Sequence, residues 1–75
     1  MQQSEEQTLV DNEVYNVLKA TSTKLEGLAA YNKYQRDGQA SGQLWQQLRQ
    51  QDEQAVRQLL QQLEQFAQQG RLKAK

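Results

Sequence analysis

The stretch LWQQLRQQDEQAVRQLLQQLEQFA, residues 44–67, decides the fold. Wound at ~100° per residue, Leu44, Trp45, Leu48, Ala55, Val56, Leu59, Leu60, Leu63, Phe66 and Ala67 all fall within about 80° of one direction. Most of the other positions are glutamine, a good helix former with a neutral, water-facing amide. A stripe of this kind predicts one long amphipathic helix. Asp52 interrupts it, in the middle of the apolar face. A carboxylate there is either paired with a donor or the remnant of a ligand site.

Upstream, Asp37-Gly38-Gln39-Ala40-Ser41-Gly42 breaks the periodicity with two glycines and a capping serine. Ser41 is the expected N-cap of the second helix and Gly70 its stop. Before the break, a first helix runs from Thr8 or Asp11 to Arg36. Thr8 and Asp11 have the spacing of a capping box, and Gly38 is placed to end the helix in the left-handed conformation. The expected elements are helices at about 9–37 and 42–69, a polar segment 1–7 and a basic tail 71–75. Each helix is roughly 40 Å long at 1.5 Å per residue. A connection this short makes the helices antiparallel neighbours.

The first helix presents a broad apolar arc. Val10, Val14, Val17, Leu18, Thr21, Leu25 and Leu28 form its centre, and Ala20, Gly27, Tyr31 and Tyr34 widen one side. The seam of a simple two-helix contact is narrower. Such an arc asks for neighbours on two sides, which a homodimer of hairpins closing a four-helix bundle would supply. The residues expected in the core or dimer interface are Leu18, Leu25, Leu28, Tyr31, Trp45, Leu48, Asp52, Leu59, Leu63 and Phe66. Gly27 costs about 1 kcal/mol against alanine in mid-helix, which suggests close approach to a large side chain such as Trp45. In a hairpin turning near residue 39, Asp52 falls opposite residues 24–31. Lys24, Tyr31 and Thr21 are its candidate partners.

Composition points the same way. At 75 residues the chain is one small domain, and so short a core is marginal without a staple. No cysteine or histidine is present, which removes disulfides and the usual zinc ligands and leaves oligomerisation. Zero net charge gives no pull toward nucleic acid or anionic membrane. No apolar run approaches the ~20 residues of a membrane span, and the acidic start Ser4-Glu5-Glu6 is unlike a signal peptide. A cytoplasmic location is the expectation. The tail Arg71-Leu72-Lys73-Ala74-Lys75 reads as a solvated end, and Arg49, Glu53 and Arg57 as i,i+4 surface pairs. Without histidine or cysteine, the hydroxyls of Thr21, Ser22 and Thr23 have no conventional base, and no catalytic residue or cofactor is expected. Thr21 to Thr23 instead bond back to helical carbonyls.

The segment Leu25-Glu26-Gly27-Leu28-Ala29-Ala30-Tyr31-Asn32-Lys33-Tyr34-Gln35-Arg36-Asp37, followed by Leu44 to Glu53, resembles one half of a ferritin-like bundle. It is similar to small bacterial ferritin-like proteins and rubrerythrin relatives, over about 45 residues from Val14 to Leu60. The resemblance implies a helical hairpin pairing into a four-helix bundle. Metal-binding members supply a glutamate from the first helix and Glu-x-x-His from the second. Here Ala29 stands where the first glutamate falls, Asp52 is followed three residues on by Ala55, and Glu53 by Val56. The scaffold is therefore expected without its metal ligands, Asp52 being the one weak candidate. The functional expectation is a non-enzymatic structural or protein-interaction module, homodimeric or joined to another helical protein. The alternative is a degenerate di-metal carboxylate protein that binds or oxidises iron.

Overall fold

The computed structural model describes residues 9–75. They form an all-α hairpin of two helices, α1 (Asn12–Asp37) and α2 (Gly42–Gln68). Residues 1–8, including the Thr8 half of the expected capping box, lie outside the described part. Asp11 caps α1 itself, its carboxylate accepting from the Glu13 amide at 3.2 Å. Glu13 in the first turn and Arg36 in the last complement the helix dipole.

The turn differs from expectation in two respects. Gly38 is extended (φ −175°, ψ 144°), so α1 ends by straightening and not through a left-handed glycine. Ser41 precedes α2, but its hydroxyl makes no bond to the helix backbone; it accepts the Trp45 indole N–H at 3.0 Å. The left-handed stop comes at the far end. Gly70 has φ +74°, with its amide bonded to Ala67 O and the Arg71 amide to Phe66 O. These paired bonds are a Schellman ending.

Between the helices only a narrow seam is buried. Val14 and Thr21 from α1 and Val56 and Phe66 from α2 are buried there, with Val14 fully covered. Val17, Leu28 and Tyr31 of α1 and Trp45, Asp52, Leu59 and Leu63 of α2 are half-buried, with Tyr31 in contact with Trp45 and Asp52. The spacing alternates three and four, the pattern of a two-helix coiled contact. The broad arc of α1 is thus divided: its middle packs, while Leu18 and Leu25 beside it remain in water. Gly27 has nothing within 4 Å of where a Cβ would stand, so close approach to Trp45 is not its role.

Two helices packed side by side make a single layer, and domains are ordinarily built from at least two. No helix is long and apolar enough to cross a membrane.

Candidate functional site

Asp52 is the junction between the helices. Its Oδ2 accepts the Tyr31 hydroxyl at 2.6 Å and its Oδ1 the Lys24 ammonium at 3.1 Å. Both donors come from α1, seven residues apart and hence on one helix face. Both belong to the same chain as Asp52. Thr21, the third candidate, turns its hydroxyl back to Val17 O at 2.7 Å. The Asp52 side chain is 20% exposed and that of Lys24 45%, so the carboxylate is half-sheltered while the ammonium reaches water.

The electrostatics follow from these bonds. The Tyr31 hydroxyl, then the Lys24 ammonium, hold the Asp52 carboxyl below its ordinary range. The same bond pushes the Tyr31 phenol up, because ionising it would set two anions together. Tyr31 is therefore a fixed donor at neutral pH, and Asp52 has both oxygens engaged. Such an arrangement can lock a register; it has no free base. No group of three or more acidic, histidine or cysteine side chains suited to a metal occurs among the described residues.

Above this junction, toward the turn, Tyr31, Tyr34 and Trp45 form an aromatic cluster. Ring centroids are 4.9 Å apart for Tyr34–Trp45, 5.9 Å for Tyr31–Trp45 and 6.1 Å for the edge-on tyrosine pair. Trp45 is thus an anchor of the turn end. Arg49 donates to Asn32 Oδ1 at 2.7 Å across the helices. Among the described residues no ion pair includes Glu53 or Arg57, so the expected i,i+4 surface ladder does not form.

At the opposite end the tail is clasped, against the expectation of a solvated end. Arg71 donates from both Nε and NH2 to Asp11 Oδ2 at 3.0 and 2.8 Å, and from NH2 to Glu13 Oε1 at 2.8 Å. Its guanidinium lies 4.5 Å from the centre of the Phe66 ring. The Lys75 amide bonds to Leu9 O, closing the end. Arg71 holds the Asp11 carboxyl below its usual range. Sequence periodicity could not find this contact, because its partners are 60 residues apart and neither lies on an apolar stripe. The Schellman glycine at position 70 was the available signal, since it turns the chain back across the helix end.

Of the ten residues expected in core or interface, Phe66 is buried. Leu28, Tyr31, Trp45, Leu48, Asp52, Leu59 and Leu63 are half-buried along the seam and its border. Leu18 and Leu25 face solvent. The chain matches no protein-family model, no curated protein and no solved structure.

Proposed function

We propose that this protein is a small helical packing module that works as a homodimer, two hairpins closing a four-helix bundle. The observation that carries the reading is the bare single layer. Among the described residues the buried hydrophobics are Val14, Val56 and Phe66, a thin core for an isolated chain, while Leu18, Leu25 and Leu60 stay exposed. The resemblance to half of a ferritin-like bundle agrees with this reading, and Asp52 in it serves as a register lock and not a ligand.

Folding coupled to dimerisation makes stability depend on concentration. The urea or thermal unfolding midpoint is expected to rise as protein concentration is raised a hundredfold. An unchanged midpoint would count against the dimer as the folded unit. Iron-binding chemistry would require metal to displace Lys24 from Asp52, and no observation favours it.

A further inference from the structure

The two ends of the hairpin are held by different means. At the turn end the chain itself joins the helices, and Tyr31, Tyr34 and Trp45 pack together there. At the open end no loop joins α1 to α2, and non-covalent contacts have to hold them. Gly70, at φ +74°, turns the chain back across that end and brings Arg71 to the start of α1. The reversal is fastened by the Gly70 amide on Ala67 O and the Arg71 amide on Phe66 O.

Arg71 does two things at once. Its guanidinium donates to Asp11 and Glu13, and its Cζ lies over the Phe66 ring, 4.5 Å from the centre. Phe66 is buried, at 2% exposure. The charges that hold the clasp are in reach of water, the side chains of Arg71, Asp11 and Glu13 being 31%, 36% and 68% exposed. Contacts of that kind are weak, are screened by salt, and give way before a packed seam does. The Asp52 junction stands about 20 Å from Phe66 along α2, at 1.5 Å per residue. One end can therefore open while the other stays in place.

We infer that residues 70–75 form a latch on the open end of the hairpin, which lifts as a unit when Arg71 leaves Asp11 and Glu13 and bares the Phe66 ring. The turn end stays shut as it does so. The trigger is ionic strength, which screens the pairs that hold the guanidinium. Every group in the latch belongs to one chain, so it works the same with or without the proposed second copy.

The test is NMR of the full chain. The Gly70 and Arg71 amides and the Phe66 ring report the latch, and the Trp45 indole N–H, held by Ser41 Oγ, reports the turn end. In the wild type both latch amides are expected to exchange at least about tenfold faster than the Val56 amide in the middle of α2, because they open without the hairpin unfolding. Salt at about 1 M, where charges are screened within ~3 Å, should move the Phe66 ring and latch amides toward their positions in Arg71→Gln. The Trp45 signal should stay where it was. Asp11→Asn combined with Glu13→Gln should reach the same positions without salt, the asparagine keeping a cap oxygen for α1. Latch signals indifferent to salt and to both variants overturn the latch. Latch amides protected as long as Val56, or a Trp45 signal that moves with them, overturn it too, since the end would then open only with the whole hairpin.

Discussion

Asp52 stands on an apolar stripe without being stranded there, because two donors seven residues apart on α1 converge on its two oxygens. The Tyr31 bond is the shorter and the more sheltered. Tyr31→Phe is expected to lower stability by about 1 kcal/mol, below the ~1.5–3 kcal/mol of a dry bond to a charged group because water reaches the carboxylate. Lys24→Met removes a half-exposed ion pair and should cost less, about 0–1 kcal/mol. Urea titrations of the two variants check the order; a larger loss at Lys24 would contradict it. The same bonds set the pH response. Asp52 and Asp11 both have lowered carboxyl pKa values. Their contribution is present above the unfolded carboxylate value of ~3.9 and is lost as pH falls through the lower folded values. Tyr31 is raised, so its contribution holds below ~10 and is lost as pH climbs through its folded value. Unfolding midpoints should therefore be flat near neutrality and fall at both extremes. In Tyr31→Phe both falls should shrink, and an unaltered alkaline limb would exclude the Tyr31–Asp52 bond as its cause.

The elements are set mainly by local sequence, with exceptions that have physical reasons. The period of residues 44–67 carries α2 because every apolar side chain there recurs at helical spacing. Hairpin geometry likewise places Asp52 opposite Lys24 and Tyr31, since a four-residue connection leaves little freedom of register. Glycine was less legible, because one residue type serves several ends. Gly38 is extended, Gly27 occupies open space and Gly70 alone takes positive φ. Sequence shows that a glycine is tolerated without showing which freedom is used. The expected consequence is opposite signs for one substitution. Gly27→Ala should stabilise by about 1 kcal/mol, through helix propensity and open space. Gly70→Ala should destabilise by ~1–2 kcal/mol, because alanine resists the left-handed conformation of the Schellman ending. Thermal scans of both check the assignment, and equal shifts would refute it. The Arg71 clasp was illegible for a different reason: a charged contact between chain ends carries no periodicity.

As a whole molecule, the described chain is a hairpin one helix thick. The apolar arc of α1 is wider than the seam that α2 covers, so Leu18 and Leu25 are left exposed. With neither cysteine nor histidine, covalent and zinc staples are absent. In the proposed homodimer, association supplies a core of ordinary depth. The most direct test is the mass of the wild-type protein in solution, by light scattering behind size exclusion at micromolar concentration. The account predicts twice the chain mass of 8.7 kDa, whereas a stable, fully helical species of one chain would contradict it.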